Sequence, residues 1–91
     1  MQDQKPESET VALGALPAGA HAIVRQFRGG NSFVSRMAAL GFTVGVEIQV
    51  IQNYGRGPLL VLVRGTRVAL GCGEAAKVLV QVMDDGQSDS A

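Results

Sequence analysis

A glycine-punctuated stretch near the middle of the chain constrains the fold more than any other feature. Residues 36–45 have the sequence RMAALGFTVG, and a strictly alternating run, VEIQVI, follows at 46–51. Gly41 is placed to end a helix, because glycine readily adopts the left-handed conformation that often follows a helix. Gly45 marks a second tight turn before the strand. The order helix, glycine, turn, glycine, strand occurs in few small folds, and it does not indicate an enzyme.

The length and composition of the chain limit it to one small domain. It has 91 residues, 46% of them hydrophobic, and a single cysteine, so no internal disulfide can form. A domain of this length buries only roughly 60% of the surface that its unfolded chain exposes. No apolar run approaches the ~18 residues of a membrane span. The polar, acidic first residues do not resemble a signal peptide, so we expect a cytoplasmic protein.

Hydrophobic patterning predicts about five short strands and one short α-helix. Apolar residues at helical spacing predict a helix near residues 31–40, with Asn31 as its N-cap. Strands are predicted at 20–27, 46–51, 59–63, 67–70 and 77–83, and single turns within 11–19 and at 74–76. The register of the first strand stays open, because Ile23 and Val24 are both apolar. Short strands at this spacing predict a small barrel, which removes exposed sheet edges.

Charge is unevenly distributed along a chain whose formal net charge is zero. Residues 11–83, the predicted domain, contain seven basic and two acidic residues, a net charge of +5. The two ends, 1–10 and 84–91, carry −5 and are expected to be disordered tails. A basic face suits an acidic protein partner, anionic lipid or nucleic acid. The candidate partner-binding residues are four arginines in predicted turns and two leucines of an apolar strand: Arg28, Arg56, Arg64, Arg67, Leu60 and Leu62. The alternative, that the arginines only solvate a small surface, is equally consistent with the sequence.

Residues for catalysis or tight metal binding are scarce. The only histidine is His21 and the only cysteine is Cys72, and no motif around them indicates a nucleophile with its base. A structural metal site usually takes about four such ligands, so we expect no metal and no cofactor. A weak or intermolecular site using His21, Cys72 or Glu74 stays open. The glycine pairs at 55–57 and 71–73 lack the Lys-Ser/Thr or the long helix of a phosphate-binding loop.

Aromatic side chains give little support for nucleic-acid binding. A small barrel that binds single strands uses exposed aromatic rings for base stacking. Three of the four aromatic residues, Phe27, Phe33 and Phe42, fall in apolar patterns and are predicted to lie in the core. Only Tyr54 lies in a predicted exposed loop. We therefore expect no nucleic-acid partner.

An ordered set of motifs over about residues 11–83 resembles the FeoA family, ferrous iron transport protein A. The motifs are Leu13-x-x-Leu16-x-x-Gly19, Gly29-Gly30, Arg36-Met-x-x-Leu40-Gly41-Phe42-x-x-Gly45, Ile48-x-Val50-Ile51, Gly57-Pro58, Val61-x-Val63-x-Gly65-x-Arg67-Val68-Ala69-Leu70 and Glu74-Ala75. Two positions depart from the family pattern. Val44 stands where the family often has proline, and Gly71 stands where a basic or polar residue is common.

The resemblance implies a mainly β fold, an SH3-like barrel with a short helix inserted between its first strands. It implies a small bacterial accessory protein, not an enzyme, that acts at the inner face of the inner membrane. Its partner would be the membrane ferrous iron transporter, through the GTP-binding domain or a cytosolic loop. The same barrel occurs in the C-terminal domain of iron- and manganese-dependent repressors, so a metal-responsive regulatory domain is the alternative. Weak homo-oligomerisation also stays open.

Overall fold

Six strands in one antiparallel sheet make up most of the computed structural model, which describes residues 10–83. The strands are β1 Val11–Ala12, β2 His21–Phe27, β3 Glu47–Gln52, β4 Leu59–Val63, β5 Thr66–Leu70 and β6 Val78–Val82. The helices are α1 Asn31–Ala39 and α2 Cys72–Ala76, and a 3-10 turn spans Leu13–Ala15. The strand order is β1-β6-β2-β3-β4-β5, so β1 and β5 are the two edges. The predicted mainly β fold with one inserted helix is confirmed.

Two details of the secondary structure differ from the sequence-based expectation. A sixth strand, β1, is only two residues long and pairs with β6, and its sequence gives no alternating pattern to reveal it. Gly30 rather than Asn31 is the N-cap of α1, so the predicted N-cap was wrong. The Gly30 carbonyl accepts a hydrogen bond from the Val34 N–H at 3.0 Å, which places Asn31 inside the first turn. Glycine is itself an acceptable N-cap.

The alternating strands turn one set of side chains into a single core. Ala22 and Val24 point inward from β2, which settles the register that the sequence left open, and a bulge follows between Val24 and Gln26. Phe42 and Met37 are fully buried, whereas Phe27 and Phe33 are half-buried and pack edge to face, with ring centroids 6.2 Å apart. The buried residues are Leu13, Leu16, Ala22, Val24, Met37, Phe42, Ile48, Val50, Leu59, Val61, Val63, Val68, Leu70, Ala75, Val78 and Val80.

Glycine is needed near both ends of α1, for a close contact before the helix and for a positive φ after it. A Cβ on Gly29 would lie 2.6 Å from Cδ2 of Phe33, so a side chain there would displace the half-buried ring. Gly41 has φ of 102°, a conformation that L side chains rarely adopt, and it ends α1 as predicted. The chain then returns to the core at Phe42, whose N–H donates to the Met37 carbonyl at 2.9 Å. Gly29 thus lets the chain pass close to Phe33 before α1, and Gly41 lets it turn away after α1.

The predicted tails fall almost wholly outside the described residues, as only Thr10 belongs to the described part. Within residues 10–83, no helix is long and apolar enough to cross a membrane.

Candidate partner-binding groove

An open groove separates the C-terminal end of α1 from strand β5. Its volume is about 730 Å³. One wall consists of Ala38, Ala39, Leu40, Gly41 and Thr43, and the other consists of Val63, Arg64, Thr66, Arg67, Val68 and Ala69. We call this the β5 groove. It lies at the edge of the sheet, because β5 pairs with β4 on one side and with no strand of the described chain on the other.

Small side chains and two anchors keep the groove open. Ala38, Ala39 and Gly41 project little from the helical wall, so α1 does not fill the space beside β5. Met37 anchors the helix in the core. Arg36 anchors it laterally, with Nη2 2.7 Å from Oε2 of Glu74 at the start of α2. The same Glu74 side chain accepts the Gly71 N–H through Oε1 at 3.1 Å, which orients the carboxylate.

Arg64 links the two walls of the groove. It has φ of 51° and shares a two-residue turn with Gly65, whose φ is 78°, as in the type I′ hairpins that suit the twist of a sheet. Its Nε donates to the Gly41 carbonyl at 3.2 Å and its Nη2 donates to Thr43 Oγ1 at 3.2 Å. A guanidinium has five N–H donors, so three remain after these bonds. The charge is therefore held at the groove with its outer edge available.

Arg67 lies next to the two candidate leucines. In the β4–β5 ladder Arg67 is directly opposite Leu62, and Ala69 is directly opposite Leu60. Leu60 and Leu62 are half-buried on the outer face of the sheet, whereas the alternate residues of β4 are buried in the core. Arg67 is exposed and forms no ion pair within the described residues. A cation of the β5 groove therefore lies beside an apolar strip on the outer face of β4.

The remaining two candidates lie elsewhere. Arg56 is in the loop before β4, so the length of that strand, on the order of 15 Å, separates it from the hairpin at Arg64. Arg28 follows β2, and its N–H donates to the Lys77 carbonyl at 2.7 Å, near the start of β6. The structure thus brings together Arg64, Arg67, Leu60 and Leu62 and places Arg28 and Arg56 outside this surface.

The groove also contains residues that the sequence did not single out as binding residues. Leu40 keeps 38% of its surface exposed at the end of α1, and Thr43 accepts the hydrogen bond from Arg64. Both belong to residues 36–45, where the spacing of glycines predicted the order of helix, turn and strand. The sequence carried no signal for a surface contact at Leu40, because this residue continues the apolar helical pattern and its exposure is visible only in the structure.

Elsewhere, the titratable residues do not form a cluster. His21 Nδ1 lies 3.8 Å from Oε2 of Glu47, on the neighbouring strand. Cys72 is exposed, and its Sγ lies 3.4 Å from the Gly57 carbonyl oxygen. In residues 10–83, no group of three or more His, Cys, Asp or Glu side chains is placed to hold a metal ion. Of the six predicted site residues, Arg64 and Arg67 line the β5 groove.

A six-stranded antiparallel sheet around one small core, with a short inserted helix and a groove at its edge, defines a small SH3-like domain. Residues 11–82 match the model of the FeoA domain family, and the chain belongs to that family. The resemblance and the SH3-like fold inferred from the sequence are confirmed.

Relatives of known name support the assignment. A putative Fe(2+) transport protein A of Methanocaldococcus jannaschii is 29% identical over 74 residues, which cover 81% of this chain and 89% of the relative. The crystal structure of an iron uptake regulatory protein, FeoA, superposes with a TM-score of 0.79 at 32% identity, and covers 82% of this chain and 100% of the other. The FeoA of Stenotrophomonas maltophilia, solved in complex with zinc and described as a procaryotic SH3 domain protein, is 35% identical, with a TM-score of 0.66 over 79% of this chain and 88% of that one.

The fold is shared with metal-dependent repressors, as expected. A manganese-dependent transcriptional repressor has a TM-score of 0.71 at 20% identity, and the match covers 81% of this chain but only 42% of the repressor. At this identity the likeness concerns the fold alone.

Proposed function

We propose that this chain is a non-catalytic accessory protein of ferrous iron uptake that acts by binding the cytosolic part of the membrane ferrous iron transporter, its GTP-binding domain or a cytosolic loop. The observation that carries the proposal is the family match, which spans residues 11–82. The M. jannaschii relative is named for Fe(2+) transport, and the S. maltophilia relative is described as a candidate activating factor of bacterial ferrous iron transport. On this proposal the chain works in the cytoplasm, at the inner face of the membrane that holds the transporter.

The β5 groove is the proposed contact surface. It combines exposed apolar atoms of Leu40 and the alanines of α1 with two arginines, and arginine is enriched at protein interfaces because its planar fork pairs bidentately with carboxylates. None of the described lining residues is acidic. The +5 charge of residues 11–83 would raise the rate of association with an acidic partner, and added salt would weaken it.

Charge reversal at Arg67 tests the proposal against a matched control. We expect Arg67→Glu to weaken binding to the purified cytosolic region of the transporter by about tenfold or more, since arginine is enriched among the hot-spot residues of interfaces and a glutamate here would repel an acidic partner. Arg56→Glu makes the same change in net charge in an exposed loop away from the groove, and we expect it to bind nearly as the wild type does. Binding is measured by calorimetry, and iron uptake is followed in cells that depend on this system.

Arg64 requires a different substitution, because its φ of 51° lies in the left-handed region, which asparagine adopts more readily than glutamate does. Arg64→Asn removes the charge together with the bonds to Gly41 and Thr43, and it keeps a residue that tolerates positive φ, in an Asn-Gly pair typical of this turn. We expect it to reduce binding and to leave the fold intact by amide NMR. If the Arg56 and Arg67 variants lose binding equally, the effect is one of net charge and not of the groove. If neither the Arg64 variant nor the Arg67 variant loses binding, the groove is not part of the interface.

A further inference from the structure

We propose that β5 binds an extended, acidic segment of the partner as an added strand, so that the segment occupies the β5 groove between the sheet edge and α1. This inference rests on the proposed function, and it names the mode of recognition at the same site. The observations that carry it are the edge of β5, with which no strand of residues 10–83 pairs, the two arginines held beside that edge, and the small residues of the opposite wall.

The register of the hairpin shows which backbone groups of β5 face the groove. Val63 and Thr66 flank a two-residue turn and form a hydrogen-bonded pair. Backbone groups alternate along a strand, so Val68 and Leu70 also direct their N–H and C=O groups toward β4. Arg67 and Ala69 therefore direct theirs away from β4, into the groove. Within residues 10–83, these groups accept and donate no backbone or side-chain hydrogen bond outside the ladder.

An unpaired edge of this kind is a template for another strand, and proteins usually block it with a short edge, charged side chains, a bulge, a proline or a cover. The one charged residue of β5, Arg67, disfavours cationic strands and favours acidic ones. Here β5 pairs with β4 in continuous register over all five of its residues, without a bulge. Helix α1 lies beside the edge but leaves the groove open, because Ala38, Ala39 and Gly41 are small. A strand added to a sheet gains main-chain hydrogen bonds, while alternate side chains confer specificity.

The side chains around the edge define which sequence fits. Alternate residues of an added strand would face the two sides of the sheet. On the inner side they would meet Val68, Leu40 and the alanines of α1, which favour small aliphatic residues. On the outer side they would lie next to Arg67, with the free donors of Arg64 nearby, which favours carboxylates. The expected segment therefore alternates acidic and aliphatic residues.

The same charges disfavour a second copy of this chain as the occupant. Pairing of β5 with the β5 of another molecule would bring Arg64 and Arg67 of both copies to one groove, and like charges on neighbouring strands destabilise a sheet. Nucleic acid is disfavoured because Tyr54, which is 75% exposed, is in the loop between β3 and β4 and not in the groove.

Proline substitution at Ala69 separates strand addition from other modes of binding. Ala69→Pro removes an N–H that faces the groove and leaves the bonds to β4 in place, because proline is tolerated on an edge strand when its nitrogen faces away from the ladder. Ala69→Val is the matched control, since it keeps the N–H and suits a strand. The probe is a synthetic peptide that alternates Glu with Val, and the reference peptide alternates Lys with Val.

We expect the full-length chain to bind the Glu-Val peptide and not the Lys-Val peptide. Binding by Ala69→Pro should be weaker than by Ala69→Val by about tenfold or more. In the wild type, bound peptide should slow hydrogen exchange at the amides of Arg67 and Ala69, a measurement that requires no variant. Equal affinity of the two Ala69 variants, or unchanged exchange at both amides with peptide bound, would overturn the proposal.

Other occupants have distinct signatures. A dimer that Ala69→Pro dissociates, without peptide binding, would assign the edge to a second copy and overturn the proposal. A full-length Asp84→Asn, Asp85→Asn variant tests the chain's own acidic end as the occupant. If the NMR signals of the Arg67 and Ala69 amides shift in this variant without peptide, the β5 edge belongs to that acidic end and the proposal is overturned. If the transporter region binds both Ala69 variants equally, the proposed function stands and strand addition fails. If the peptide binds in the expected manner but the transporter region does not bind, strand addition stands and the proposed partner fails.

Discussion

Phe42→Ala is expected to lower the free energy of unfolding by about 3–5 kcal/mol, the range typical of a fully buried phenylalanine. Phe42 has no exposed surface and is the largest fully buried side chain among the described residues. It follows Gly41 directly and lies where the chain leaves α1 for the sheet, so a cavity there would loosen both. A urea titration of the two proteins, followed by circular dichroism, measures the difference.

Two other aromatic substitutions serve as controls for the stability loss expected of Phe42→Ala. Phe33→Ala should cost clearly less, because this ring is half-buried against Phe27 and lies 5.5 Å beneath the Lys77 ammonium group. Tyr54→Ala should change the free energy of unfolding by less than about 0.5 kcal/mol, as expected of an exposed loop residue. A smaller loss for Phe42→Ala than for Phe33→Ala would contradict the core described above.

The strands could be predicted from the sequence because their signals are local. Alternation in 46–51 identified Ile48 and Val50 as core residues, and the apolar runs at 59–63 and 67–70 identified β4 and β5. The two errors of prediction, the omission of β1 and the wrong N-cap of α1, have a different cause. Val11–Ala12 is too short for a periodic pattern, and it exists because β6 is there to pair with it. Asn31 is a good N-cap by type, but the adjacent glycine took that position in the folded chain.

The candidate site was only partly accessible to sequence reasoning, because its geometry depends on the order of strands. Arg56 and Arg67 are both arginines in or beside turns, and the sequence gives no basis for preferring one. Strand pairing separates them, since it places Arg67 opposite Leu62 at an unpaired edge and Arg56 at the far end of β4. The link from Arg64 to Gly41 and Thr43 spans 23 and 21 residues, and no local pattern predicts such contacts.

The arginine at the hairpin therefore has a structural and a proposed binding role. Its hydrogen bonds to Gly41 and Thr43 are exposed, so each contributes on the order of 1 kcal/mol or less to stability. They also fix the distance between the two walls of the β5 groove. A partner that binds between those walls would meet a preformed site, and preformed sites lose less entropy on binding. Any change at the Gly41 end of this link should then affect both stability and binding.

Gly41→Val is expected to lower the free energy of unfolding by about 3 kcal/mol, because a β-branched residue would have to adopt a backbone conformation that is open almost only to glycine. The φ of Gly41 is 102°, and a Cβ there would lie 3.5 Å from Cδ of Arg64 and 3.7 Å from the methyl groups of Val63. That contact is ordinary for the Cβ itself, but the two additional methyl groups of valine would crowd the hairpin. Urea titration measures the loss.

The matched control is Gly73→Ala, which lies inside α2 with ordinary φ, and a Cβ at this position would have no neighbouring atom within 4 Å. Alanine is favoured over glycine in a helix by up to about 1 kcal/mol, so this variant should be as stable as the wild type or more so. Gly41→Val should also shift the amides of Arg64 and Thr43, because the carbonyl that Arg64 binds would move. A Gly41→Val protein as stable as the Gly73→Ala protein would show that the chain leaves α1 by a different path, and the β5 groove would then lack the wall on which its proposed role depends.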